Sequence, residues 1–172
     1  KLEQVLFIPA GQPRFKLDSD ISAAEHRVEM VRLAIAGRPG FKLSTMEVER
    51  PGPSYTVDTM AELQVQYGVQ AELVFLLGWD TLAQLPQWKE PSRLIKLCRL
   101  VAVPRPGYAL PDLAVMEGVI PGISRRVIVL DRPEVDISAT GLRQRAIRGL
   151  SLSHLVPEPV VDYIREHGLY ST

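Results

Sequence analysis

The stretch "VDISATGLRQRAIRG" (135–149) places Ser138, Thr140 and Arg143 directly after a β-branched run that ends at Asp136-Ile137. Either hydroxyl can cap a helix. The first-turn amides of such a helix point outward without intrahelical acceptors. They suit a phosphate, and the helix dipole adds roughly 0.3–1 kcal/mol at an exposed site. Arg143 can bring a bidentate guanidinium to the same oxygens. The same residues also read as a plain capped helix with Arg143, Arg145 and Arg148 in solvent, and both readings stand. Other segments raise the same choice. In "GWD" (78–80), Gly78 permits close backbone approach after an apolar run, and Asp80 can accept hydrogen bonds from ribose hydroxyls or simply cap a helix. In "LPQWK" (85–89), Trp88 can stack on a flat ring or pack half-buried. In "GPSYTVDT" (52–59), the backbone amides of Tyr55 and Thr56 can hold a carboxylate or belong to ordinary capping. Arg105 is fixed between two prolines, and Lys16 ends the loop "PAGQPRFK"; each is a candidate cation for an anionic ligand or a solvated side chain.

Several chemistries are disfavoured. His26, His154 and His167 show no metal-ligand spacing, and Cys98, the single cysteine, has no histidine near it in sequence. His26 reads as a helix-face residue and the other two as surface. No Ser-His-Asp arrangement, zinc-hydrolase pattern or GxxxxGK[ST] loop is present.

The elements that must position these residues alternate. Apolar runs at 5–8, 72–78, 100–104 and 126–130 read as strands, the second as a strand buried on both faces; "FKLSTMEVE" (41–49) alternates like another. Between them lie helical patterns. One starts at Ser22, whose "SAAE" is a capping box, and carries Val28, Val31 and Ile35. A second spans 55–67 with Val57, Met60, Ala61 and Leu63 on one face and a stop at Gly68. Further helices are expected at 90–98, 110–118, about 139–148, and after "VPEP" with Gly168 at the end. The predicted class is α/β, a parallel sheet flanked by helices, in a single domain (1–172) whose residues 138–172 form a C-terminal helical part. Ligands of such sheets bind past the carboxyl ends of the strands, where "PAGQPRFK", "RPGPSYT", "GWD", "PRPG" and "DISAT" lie.

The bulk numbers fit. A chain of 172 residues with 46% hydrophobic and 23% charged content can build a packed core. Lys+Arg and Asp+Glu both number 20, which argues against a nucleic-acid binder relying on broad basic attraction. No apolar run approaches a membrane span, no signal peptide is visible, and the cysteine usage gives no sign of an oxidising compartment, so a cytoplasmic location is expected.

Taken in order, "VLFIPAGQPRFK", "AEHRVEMVRLAI", "VERPGPSYTVDTM", "LVFLLGWD", "LPQWKEPSRL", "LVAVPRPGY" and "DISATGLRQRAIRGLSLSHLVPEPVVDYIREHGLY" resemble bacterial nicotinate mononucleotide adenylyltransferases over essentially the whole chain. The resemblance implies a Rossmann-like nucleotidyltransferase fold. It also implies transfer of AMP from ATP, with its Mg²⁺, to nicotinate mononucleotide, giving deamido-NAD and pyrophosphate. It further places the nicotinate carboxylate on the Tyr55 and Thr56 amides and the pyridine ring on Trp88. Gly78 and Asp80 would lie by the nucleotide, with Asp80 on ribose. Arg105, Lys16, Ser138, Thr140 and Arg143 would line the phosphate region. Such a reaction needs positioning and charge stabilisation more than a protein nucleophile, which suits a chain without an evident catalytic dyad.

Two departures qualify the resemblance. The family opens with a strand, a Gly-rich loop and an HxGH motif whose histidines stabilise the transferring phosphate. No HxGH occurs in this sequence, and its first readable strand resembles the family's second. The expectation is that roughly 25 further residues supply the missing strand-loop-helix in the natural protein, a βαβ unit needing about 30 or more. A chain truly starting at Lys1 would then be almost inactive. The second departure is "PRFK", where the family often has "PPHK", which bears on Lys16. Rival readings are a pantetheine-phosphate adenylyltransferase or cytidylyltransferase, and a non-catalytic nucleotide-binding module. A homo-oligomer is left open, and the loop 11–20 is a candidate mobile lid.

Overall fold

The computed structural model describes residues 2–12 and 22–170. The element order is β1 (Val5–Phe7), α1 (Ala24–Ile35), β2 (Phe41–Leu43), α2 (Met46–Glu49), α3 (Thr56–Tyr67), β3 (Val74–Gly78), α4 (Trp79–Gln84), α5 (Pro91–Leu97), β4 (Arg99–Val103), α6 (Leu113–Val119), β5 (Val127–Val129), α7 (Ala139–Ile147) and α8 (Glu158–Glu166). Single 3₁₀ turns occupy Leu85–Gln87 and Ile123–Arg125. Every strand pairing is parallel, with helices between consecutive strands, so the α/β class with a Rossmann-like layout is what forms. The chain divides into two units, residues 1–54 with 137–172, and residues 55–136.

In the first unit β1 lies beside β2, with Val5 opposite Phe41 and Phe7 opposite Leu43. The rings of Phe7 and Phe41 meet at 5.1 Å. Helix α8 packs on α1 through Tyr163, whose hydroxyl is 2.9 Å from His26 Nδ1 and whose ring stacks on His167 at 4.0 Å. His26 is therefore a helix-face residue satisfied by a neighbouring phenol. Two expectations fail here. Helix α1 begins at Ala24 with Ala23 as its N-cap and no side-chain cap, so "SAAE" is not a capping box. The Ser22 hydroxyl is instead 2.8 Å from the Tyr170 hydroxyl, a partner far away in sequence. The run 41–49 is not one strand. Pairing with β1 ends at Leu43, and Thr45 O then accepts from the amides of Val48 (2.8 Å) and Glu49 (2.9 Å), winding the chain into α2. The alternation continued past the point where a strand partner existed. This helical turn matters, because Gly11 lies against it. A Cβ on Gly11 would sit 2.1 Å from Glu47 O, so no other residue fits.

In the second unit the sheet order is β3-β4-β5. Register aligns Phe75 with Leu100 and Leu77 with Ala102, so these four share one face. Leu100 and Ala102 are fully buried on it, and Leu82, Leu85, Leu94, Ile120 and Ile123 of the same unit are likewise without exposure. Fully burying a Leu or Ile stabilises by ~1.5–3 kcal/mol each, which makes this unit a firm frame. Helix α3 buries Val57, Met60 and Leu63 as the spacing predicts, and ends at Gly68 with φ +82°. Strand β3 is not buried on both faces as its apolar run suggests. Leu77 is 5% exposed but Leu76, which points to the opposite face, is 63% exposed. Cys98 is buried beside α5, and burial pushes its thiol up to about 11, so it is inert at neutral pH.

The turn after α6 carries a testable electrostatic feature. Glu117 accepts from the Ser124 hydroxyl at 2.7 Å, the Ser124 amide at 2.9 Å and the Gly122 amide at 2.6 Å. The Ser124 bonds first, then Gly122, pull its carboxyl down to about 2 from the ordinary 4.5. A depressed folded-state value means the contribution is complete above the unfolded value and is lost as pH falls through the folded one. Glu117→Gln should therefore lower the Tm at neutral pH, with the gap to wild type closing between about 4.5 and about 2. Thermal scans across that range check it.

Candidate active site

The end of β3 holds the first group. Gly78 is the N-cap of α4, with φ −78° and ψ 161°. A Cβ there would lie 2.4 Å from Asp80 Oδ1, so the glycine is what lets the carboxylate fold back over the strand end. Asp80 Oδ2 accepts from Arg105 Nη1 at 2.5 Å. Its Oδ1 is buried without a protein partner, which leaves an oriented acceptor. Arg105 leaves β4 through Pro104 and Pro106 and lies 5.7 Å from the Tyr108 ring. The sequence reading gave Asp80 and Arg105 separate tasks; the structure joins them in an ion pair in which Arg105 remains 42% exposed and Asp80 only 13%.

A second group surrounds the start of α3. Tyr55 is the N-cap, and the first intrahelical bonds run to its carbonyl from the amides of Asp58 (3.0 Å) and Thr59 (3.1 Å). The Thr56 amide precedes both, in the position of a helix-end donor. Trp88 ends the 3₁₀ turn that Pro86 helps set, with its amide on Leu85 O at 3.0 Å. Its indole meets the edge of Phe75 at 6.0 Å and is half-buried, and Nε1 is buried without a partner. Trp79 Nε1 is in the same condition. Next to Trp88, Lys89 reaches Asp58 Oδ2 at 2.9 Å and lies 4.5 Å from the centre of the Tyr55 ring. The Asp58 hydrogen bond is the main reason its ammonium is held above the usual lysine range.

The third group is the start of α7. Of the two hydroxyls, Ser138 is the cap: its Oγ accepts from Gly141 N at 3.0 Å. Thr140 Oγ1 accepts from Arg143 Nη2 at 3.3 Å, so Arg143 is half-buried and aimed at its own helix start rather than loose in solvent. Arg145 instead donates to Ser151 O, at 2.9 Å from Nη2. Lys16 and most of the loop 11–20 lie outside the described residues.

Two further side chains, Arg27 and Lys89, were not singled out by sequence reasoning. Arg27 donates to three backbone carbonyls, those of Ala10 (2.5 Å), Gly11 (3.1 Å) and Ser22 (3.1 Å), and so fixes the chain at the carboxyl end of β1. Its signal was a cation in the first turn of α1, where the helix dipole disfavours one. Lys89 was overshadowed by Trp88. No group of three or more His, Cys, Asp or Glu side chains suited to a metal exists among the described residues, and no helix there is long and apolar enough to cross a membrane.

Comparison with known proteins identifies the family. Residues 1–145 match the family described as cytidylyltransferase-like. A protein of Dehalococcoides mccartyi named "Probable nicotinate-nucleotide adenylyltransferase" is 47% identical over 169 residues, which cover 98% of this chain and 83% of that protein. A Roseiflexus protein of the same name is 44% identical over 170 residues, covering 99% and 84%. The fold matches that of Plasmodium falciparum nicotinic acid mononucleotide adenylyltransferase complexed with NaAD, with a TM-score of 0.74 at 16% identity over 98% of this chain and 82% of that one. The chain belongs to the cytidylyltransferase-like family and, within it, to the nicotinate-nucleotide adenylyltransferases.

Proposed function

We propose that the protein transfers the adenylyl group of ATP to nicotinate mononucleotide, giving deamido-NAD and pyrophosphate. The phosphate oxygen of the mononucleotide attacks the α-phosphorus of ATP, the bond between the α- and β-phosphates breaks, and pyrophosphate leaves. Tyr55 and Thr56 hold the pyridine carboxylate through backbone amides, and Trp88 supplies a face for the ring. Asp80 takes a ribose hydroxyl on Oδ1, with Gly78 giving the backbone room. Arg105, Ser138, Thr140 and Arg143 meet the phosphates, joined by Lys16. Mg²⁺ would accompany ATP and supply charge neutralisation at its phosphates. The whole chain acts as one nucleotidyltransferase domain, in the cytoplasm, on small molecules.

The observation that supports this reading is the group at the start of α3, where Lys89, directly after Trp88, reaches Asp58 Oδ2 and the Tyr55 ring next to the Thr56 amide. The names of the relatives also favour it over a pantetheine-phosphate enzyme or a non-catalytic module. The test is pyrophosphate release by the full-length gene product from ATP with nicotinate mononucleotide, nicotinamide mononucleotide or pantetheine phosphate. Release fastest with the first is expected. Preference for pantetheine phosphate, or ATP binding without turnover, would overturn the proposal.

A further inference from the structure

Pyridine carboxylate and pyridine carboxamide have nearly the same shape, and a backbone amide donates equally well to an oxygen of either. They differ in charge and in the donors that the carboxamide nitrogen carries. A site that distinguishes them therefore needs a cation as well as amides. We infer that Lys89 is a specificity-determining residue that selects the carboxylate-bearing mononucleotide over its carboxamide counterpart. This rests on the function proposed above and assigns its acid preference to one side chain.

The position supports the role. Lys89 Nζ lies 4.5 Å from the centre of the Tyr55 ring and 2.9 Å from Asp58 Oδ2, which places it at the first turn of α3. Its backbone directly follows Trp88. An ammonium has three N–H donors and no acceptor. Asp58 Oδ2 takes one of them, which fixes the group in place and keeps it charged. A carboxylate can accept from the others, whereas a carboxamide nitrogen would turn donors toward donors. The side chain is 37% exposed, so the attraction is screened rather than deeply buried.

The test uses the full-length gene product and measures kcat/KM for nicotinate and nicotinamide mononucleotide at saturating ATP. Lys89→Gln should reduce the acid-to-amide preference roughly fivefold, through a higher KM for the acid. The KM for ATP should not move, and Lys89→Arg should keep most of the preference. Added salt should erode the wild-type preference and leave that of Lys89→Gln flat. An acid-preferring wild type whose preference survives Lys89→Gln would overturn this inference alone, as would equal losses on both mononucleotides. A wild type inactive with both mononucleotides would overturn the proposed function and this inference together.

Discussion

Arg143→Ala should lower kcat/KM for ATP by roughly a hundredfold or more, the usual cost of removing one preorganised donor from a site of developing negative charge. The helix start survives the change, because the cap of α7 is Ser138 Oγ on Gly141 N and does not involve Arg143. What is lost is the guanidinium that Thr140 Oγ1 holds toward the helix end. Both KM for ATP and turnover should suffer, while KM for the mononucleotide changes little. Arg143→Lys should recover only part, since an ammonium cannot make the bidentate contact. Steady-state kinetics with each substrate varied in turn measures this. Unchanged ATP affinity and turnover would return the stretch 138–143 to an ordinary capped helix.

Trp88→Ala should raise KM for the mononucleotide by roughly ten- to a hundredfold, because stacking a base on an aromatic side chain is worth ~1–3 kcal/mol. The place of the ring is fixed: the Trp88 amide is bonded to Leu85 O at 3.0 Å and the indole meets Phe75 edge-on. Part of the indole is buried, so the alanine variant also gives up packing. Trp88→Phe separates the two effects, since it keeps a stacking face and most of the contact. The phenylalanine variant should retain most of the affinity, and neither variant should alter KM for ATP. Equal affinity for the mononucleotide in wild type and Trp88→Ala, both folded, would remove Trp88 from the site.

Where a residue's partner lies close in sequence, its place was legible. The stop at Gly68 after α3 and a hydroxyl cap at the head of α7 each act within a turn of themselves, and the structure agrees with both, with Ser138 rather than Thr140 as the cap. The central strand β4 was legible because a continuous apolar run between two paired strands has one outcome, and Leu100 and Ala102 are fully buried. The failures share a different cause. Ser22 was expected to cap α1, but the Tyr170 hydroxyl, at the other end of the chain, engages it. The alternation of 41–49 could not reveal that β1 offers pairing only as far as Phe7 opposite Leu43. Leu76 looked buried because hydrophobicity records a tendency, not a neighbour. The Asp80–Arg105 pair joins residues 25 apart, each with a sensible reading of its own, and only the fold places them together. Arg27 and Lys89 escaped because their partners, backbone carbonyls for the first and the Asp58 carboxylate and Tyr55 ring for the second, are ones that local sequence cannot point to.

The most direct measurement follows the α-phosphate. The full-length gene product is incubated with nicotinate mononucleotide and ATP labelled at the α-position, and in a parallel sample at the γ-position. The α-label should appear in a dinucleotide that co-migrates with deamido-NAD, and the γ-label in pyrophosphate, in equal amounts. An α-label that stays with ATP, or a γ-label transferred to the mononucleotide, would contradict adenylyl transfer by this protein.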